Sequence, residues 1–403
     1  MIAFLLAQTI AITGGTVYPV SGPKIDNATI LIRDGRIAAV GTNVAVPAGA
    51  TRIDASGKWV TPGLIESGGT LGLTEIGAVQ GTNEAFQRTS EVAASFNVAE
   101  GINPASTLIP VTRIEGITTA LTWPQGQLIA GQGVLIDLDG ATIEAMLVKA
   151  APAAMLATLS EQSKDEGGGS RAGAAARLRR VFNDALEYSR RRTDYSRAQM
   201  QQLAAGAADL EALMPVLRGQ LPLVVIANRR SDIETALRIA REYKVRLILA
   251  GATEGWTVAD RIAAAGVPVL VQPLDNVPTY DGLGARYENA ALLAKAGVKV
   301  ALLENDTHNA RNLRQQAGNA VAYGMTWEQA LRAVTLTPAE VFGVADRYGS
   351  LEAGKVANVV VWTGDPFEFS TGVEHVFIRG KAIPLRSRQT ELMERYRSLP
   401  PKY

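Results

Sequence analysis

The chain has 403 residues, 47% of them hydrophobic and 20% charged, the make-up of an ordinary globular protein rather than a disordered or fibrous one. Lys and Arg number 40 against 39 Asp and Glu, a net charge of +1. That balance excludes a global field that would steer nucleic acid or an anionic membrane toward the protein. There is no cysteine, which excludes disulfides, thiolate metal ligands and a cysteine nucleophile and leaves cytoplasm and periplasm equally open.

Met1-Ile2-Ala3-Phe4-Leu5-Leu6-Ala7 reads as the tail of an export signal cleaved near Ala7, although no basic residue precedes its short apolar core. The alternative is that Ile2–Leu6 leads into the first strand, so a periplasmic or secreted location and a cytoplasmic one both stay open. No stretch approaches the roughly 20 apolar residues of a membrane span.

The next segments read as short strands: Thr9–Thr13, Ala28–Arg33, Arg36–Val40 and Thr51–Asp54. Asp34-Gly35 is a strong two-residue hairpin signal. The far end behaves alike, with an apolar run at Ala357–Trp362, a turn at Gly364-Asp365-Pro366 and a strand at Val376–Arg379. Two all-β pieces at opposite ends predict one discontinuous β-sandwich with a larger domain inserted between them. Between them, short apolar runs alternate with amphipathic stretches, as a parallel α/β barrel requires. The runs are Leu64–Glu66, Thr118–Thr122, Leu223–Ala227, Leu247–Ala250, Val267–Val271 and Val298–Leu303. Asp232–Tyr243 and Trp327–Val334 are amphipathic. The length accommodates a barrel of about 250 residues and a module of about 100, divided as 1–62, 63–345 and 346–403.

Lys164–Arg197 stands apart, with Gly167-Gly168-Gly169 followed by Arg171, Arg177, Arg179 and Arg180. It reads as a solvated barrel helix or flap, or as an anion-binding lid. Gly126, Gly131 and Gly133 lack the Lys-Ser or Lys-Thr of a phosphate loop and read as shaping a hairpin. Trp123, Trp256 and Tyr280 either stack on a ligand or pack in core and lid.

Val60-Thr61-Pro62-Gly63-Leu64-Ile65-Glu66 resembles the amidohydrolase superfamily, imidazolonepropionase-like branch. The resemblance continues through Gly131-Gln132-Gly133, Asn309-Ala310-Arg311-Asn312-Leu313, Ala333-Val334-Thr335-Leu336-Thr337-Pro338-Ala339, Gly349-Ser350-Leu351-Glu352-Ala353-Gly354-Lys355 and Gly364-Asp365-Pro366. It implies a (β/α)8 TIM-like barrel carrying the small β-sandwich, and hydrolysis of C–N bonds in amides, imides or dipeptides. Strand-end histidines, a Glu or modified Lys, and an Asp would hold one or two divalent metals, which lower the pKa of bound water toward about 7.

Carried over residue by residue, that pattern fails. Where the resemblance calls for His-x-His the chain has Gly68-Gly69-Thr70. Ile226 and Asn228 stand where a further histidine belongs, and Gly251-Ala252-Thr253-Glu254 replaces His-Gly-Thr-Glu. Glu161 matches a carboxylate ligand weakly, and the aspartate of the last strand falls on Glu304, Asn305 or Asp306. The chain has two histidines. His375 lies in a sandwich strand, which leaves His308. Glycine and isoleucine carry no donor atoms, so the standard metal site is not expected and no cofactor is required.

Three readings of the barrel mouth remain. One is a solvated polar rim, no longer catalytic. Another is a weak oxygen site for Mg or Ca at Glu66, Glu161, Glu304 and Asp306. The third is a metal-free hydrolase in which Ser67 attacks and His308 is the base. Asp306, His308 and Glu304 are thus the catalytic candidates; Glu66, Ser67, Thr70, Asn228 and Glu254 are the candidates for holding a ligand. Gly68-Gly69 either fills space vacated by imidazoles or lets a ligand approach the backbone. The expectation is a catalytically degenerate protein that binds a small molecule or partners another subunit, in a homo-oligomer or with a ligand-complete relative. The alternative is an active hydrolase with a non-standard, carboxylate-rich or metal-free site.

Overall fold

A computed structural model describes residues 9–88, 90–126 and 128–398; the suspected export segment at 1–7 lies outside them. Sixteen strands fall into two sheets. β1 (Ile10–Val17), β2 (Ile25–Arg33), β3 (Arg36–Gly41), β4 (Thr51–Asp54) and β5 (Trp59–Pro62) open the chain. Barrel strands follow: β6 (Leu64–Gly69), β7 (Ile117–Thr122), β8 (Ile129–Asp137), β9 (Ala154–Thr158), β10 (Leu223–Ala227), β11 (Leu247–Gly251), β12 (Val269–Val271) and β13 (Val300–Leu302). β14 (Val359–Trp362), β15 (Val373–Ile378) and β16 (Lys381–Ile383) return to the first sheet.

The outer sheet has the order β16-β15-β14-β5-β1-β2-β3, with β4 also on β1. The two ends of the chain therefore share one sheet, joined where β14 pairs antiparallel with β5. Its apolar core includes Ile10, Ile12, Ile30, Val60, Val359 and Phe377. The β2–β3 hairpin turns at Asp34 and Gly35, both with left-handed φ, 52° and 76°, as a tight two-residue turn requires.

The second sheet is an eight-stranded barrel, β13 through β6 in sequence order. Inward residues such as Ile65, Leu156, Val224, Ile248, Leu270 and Ala301 fill its interior. The alternate residues, among them Leu64, Val225, Leu249 and Leu302, pack outward against helices. One stave departs from an all-parallel barrel, since β8 runs antiparallel to both β7 and β9. Gly131 and Gly133, read as shaping a hairpin, lie within that returning strand. The arginine-rich segment is a barrel helix over Arg171–Arg190, burying Leu178, Val181, Phe182 and Tyr188.

At the barrel end that meets the outer sheet, Asp137 is fully buried. Its carboxylate accepts from Thr119 Oγ1 (2.9 Å), Asn358 Nδ2 (3.0 Å) and Tyr348 Oη (2.9 Å), and Arg379 Nε lies 3.5 Å away. Burial raises its pKa, opposed by these donors. Four donors from both sheets converge on one acceptor, so removing it strands them all. Asp137→Ala should cost about 3–5 kcal/mol, read as a lower denaturant midpoint. A loss below about 0.5 kcal/mol would show that the carboxylate does not tie the sheets together.

Candidate functional site

The ends of β6, β7, β9, β10, β11, β12 and β13 open on one face of the barrel, the face where barrels of this kind place their sites. Two adjoining chambers of about 570 and 260 Å³ lie there, sharing Trp123, Gln162, Ile226 and Asn305 in their walls.

β6 and β13 close the barrel, yet among the described residues no ladder joins them. The carboxylate of Glu66 spans the seam. It accepts the backbone amide of Glu304 through both oxygens, at 2.9 and 3.0 Å, and that of Gly68 at 3.1 Å. Glu66 is buried, and this desolvation pushes its pKa well above the ordinary carboxylate range. Glu304 is held in turn by Gln316 Nε2 (2.6 Å), Gln272 Nε2 (3.1 Å) and the Asp306 amide (3.3 Å); burial raises its pKa as well. Both carboxylates are thus occupied by protein donors.

Immediately beyond Glu66, a Cβ on Gly68 would overlap the six-membered ring of the Trp123 indole. Trp123 ends β7 and is buried among the inner barrel residues, so its reading as core packing holds. Thr70 bonds to Thr307. Across the mouth, Gly251 has a left-handed φ of 78°, and a Cβ there would overlap Asn228 Oδ1. The places where the sequence pattern calls for imidazoles are filled by an indole and a carboxamide.

The remaining candidates divide. Asn228 donates to Asp281 (3.0 Å) and accepts from Thr253 (3.1 Å). Glu254 accepts the amides of Arg230 and Gly284, both at 2.8 Å. Arg171, which the sequence gave no reason to single out from its neighbours, binds Asp232 and Asp281 at 2.8 Å and Glu161 at 2.9 Å. Together these contacts clamp the segment 273–288 over the β10–β11 side of the mouth. Trp256 belongs to the same clamp, donating to Gly284 O at 2.7 Å beneath the Arg286 guanidinium. Tyr280 is 93% exposed.

Ser67 is buried, and its Oγ has no hydrogen-bond partner. His308 Nε2 lies 3.0 Å from the Glu75 carbonyl, and its Nδ1 is 3.8 Å from Asp306. Ser67 and His308 are therefore not brought together as nucleophile and base. Glu161 is engaged by Lys164 and Arg171, which lower its pKa. Among the described residues no three His, Asp or Glu side chains form a group able to hold a metal ion, so Glu66, Glu161, Glu304 and Asp306 do not form the oxygen site. A catalytic zinc needs about three protein ligands with one position open. This donor set does not fit one.

Two outcomes follow. Gly68→His should destabilise by about 2 kcal/mol or more, because the imidazole has no space beside the indole. Combining it with Trp123→Ala should cost less than the sum of the two single changes; additivity in chemical denaturation would show that the two positions do not compete. The raised pKa of Glu66 means that the folded state keeps a proton the unfolded chain releases. Stability should therefore fall as pH rises from about 4.3, the unfolded value, toward the higher folded one. Glu66→Gln keeps one carbonyl oxygen for the Glu304 and Gly68 amides and should flatten that decline in unfolding titrations; an unchanged slope would exclude Glu66 as its source.

The amidohydrolase family model matches residues 279–383. An imidazolonepropionase of Pseudomonas putida is 29% identical over 365 residues, 84% of this chain and 88% of that protein. Amidohydrolase tasK of Hapsidospora irregularis is 24% identical over 386 residues, covering 88% of this chain. The chain spans only 39% of that fungal protein. Among solved structures, an amidohydrolase from Thermotoga maritima superposes with a TM-score of 0.85 at 29% identity, covering 94% of this chain and all of the other. Molinate hydrolase, at 19% identity and a TM-score of 0.59, shares the fold. No helix of the described residues is long and apolar enough to cross a membrane. By sequence and by fold, this chain belongs to the amidohydrolase family.

Proposed function

We propose that this protein descends from metal-dependent hydrolases of C–N bonds and has lost their metal centre, acting as a ligand-binding or partner subunit. The observation that carries this reading is the filling of the ligand positions. The Trp123 indole takes the room beside Gly68, and Asn228 takes the room beside Gly251. Ile226 contributes an aliphatic wall, and Thr70 is committed to Thr307.

Refilling of this kind argues against a site that merely awaits an ion. Glycine, threonine and isoleucine cannot supply the binding free energy, on the order of 10–16 kcal/mol, that structural zinc sites draw from thiolate and imidazole ligands. The carboxamides and hydroxyls lining the two chambers, including Gln125, Thr158, Gln162 and Asn305, fit a polar small molecule over an apolar floor of Leu156, Ile226 and Ala130. Such a protein retains the family's cavity without its hydroxide. A subunit of this type would complement a relative with intact histidines, or a second copy of itself.

Elemental analysis of protein purified without chelator tests the reading. Zn, Mn and Fe should be far below one per chain, and chelation should leave the melting temperature unchanged. Amide, imide and dipeptide substrates should show no turnover. A stoichiometric transition metal whose removal abolishes hydrolysis would establish instead an active enzyme with a non-standard site.

A further inference from the structure

At the end of the barrel opposite the mouth, a second cavity of about 580 Å³ lies where β10, β11, β12 and β13 begin. Its walls are apolar at Leu237, Val245 and Val267, and its charged lining is Arg241, Arg246, Lys299 and Glu340. Glu340 is already shared between Lys299 (3.3 Å) and Arg332. Arg241 and Arg246 have no acidic partner among the described residues.

Close by, Lys149 is half-buried, and its ammonium donates to the Phe342 carbonyl at 3.4 Å. The charged groups acting on it are Arg246 and Arg347, both cationic; burial first, then these two, lower its pKa. Arg347 has only the exposed carboxylate of its neighbour Asp346, at 3.8 Å. In a chain with a net charge of +1, this end thus concentrates Lys149, Arg241, Arg246, Lys299, Arg332 and Arg347 against Glu340 and Asp346. Holding a half-buried ammonium against guanidiniums with no carboxylate opposite is costly for the folded protein. An anion seated between them removes that cost.

We infer that this cavity is an anion site, built for a phosphate group on a small apolar body, with Arg246 and Lys149 as its principal contacts. The guanidinium of Arg246 suits the planar, two-point recognition of phosphate oxygens, and the ammonium supplies a compact charge. The apolar walls take the organic part. The site is remote from the mouth, so it stands or falls independently of the lost metal centre.

Phenyl phosphate and inorganic phosphate are the probes, followed by calorimetry and by thermal melting at low ionic strength. Phenyl phosphate should bind more tightly than inorganic phosphate and raise the melting temperature, whereas uncharged benzyl alcohol should do neither. Arg246→Gln and Lys149→Met should each weaken phenyl phosphate binding by about tenfold or more, the scale of one lost charge-assisted contact. In the absence of phosphate, Lys149→Met should melt no lower than the parent, because it removes a repelled charge; that comparison separates loss of a site from loss of folding. Co-sedimentation with phosphatidylcholine vesicles, with and without phosphatidic acid, distinguishes a lipid headgroup from a free phosphate ester as the source. Binding that is absent at millimolar phenyl phosphate, or unchanged in both variants, would overturn the inference.

Discussion

An indole and an imidazole cannot occupy the same volume, and the mouth of this barrel is organised around that exclusion. With Trp123 lying where a side chain at position 68 would project, β6 carries glycine and the Glu66 carboxylate turns instead to backbone amides at the seam. Those amides fix the start of the 304–308 turn. The Glu304 side chain, directed back toward Gln272 and Gln316, is thereby withdrawn from the cavity. A single aromatic packing choice therefore accounts for the engagement of two carboxylates by protein donors.

On the other side of the mouth the same substitution of structure for chemistry recurs. Asn228, at the end of β10, stands beside a glycine and holds Asp281, while Arg171 gathers three carboxylates from separate segments around one guanidinium. Ion pairs of this kind specify geometry more than they add stability. They fix where the 273–288 segment lies, and so set how wide the cleft stands. The site is shaped by positioning contacts throughout.

Much of the fold was legible because it rests on local patterns. The phrase from Val60 to Glu66, the Asp34-Gly35 turn and the aliphatic runs of β7 and β10 through β13 each announce an element through period and turn chemistry. β8 and β9 did not. Gly131, Gln132 and Gly133 interrupt the first, and Ala-Met-Leu-Ala-Thr in the second has no β-branched residue before its last position. The missing ligands were equally plain, since the absence of donor atoms is a property of residue type. What fills their place was not, because Trp123 and Gly68 are distant in sequence and meet only through strand pairing. Asn228 and Glu254 were read as groups for a ligand and prove to be held by Asp281, Thr253, Arg230 and Gly284; sequence reveals a side chain's chemistry but not its partner. Arg171 looked like one of many arginines on a solvated helix, and only the fold distinguishes it.

The seam between β5 and β14 has a consequence for how the chain is made. β5 is complete once the first 62 residues have emerged from the ribosome, but its antiparallel partner begins at residue 359. Throughout most of translation one flank of the nascent amino-terminal sheet has no mate, and bare strand flanks recruit foreign ones. Closing a loop of this length adds only slowly to the entropic cost, so the hazard is one of waiting time rather than equilibrium. The arriving carboxy-terminal strands end it, which makes truncation within the last tenth of the chain far more damaging than its distance from the barrel mouth suggests.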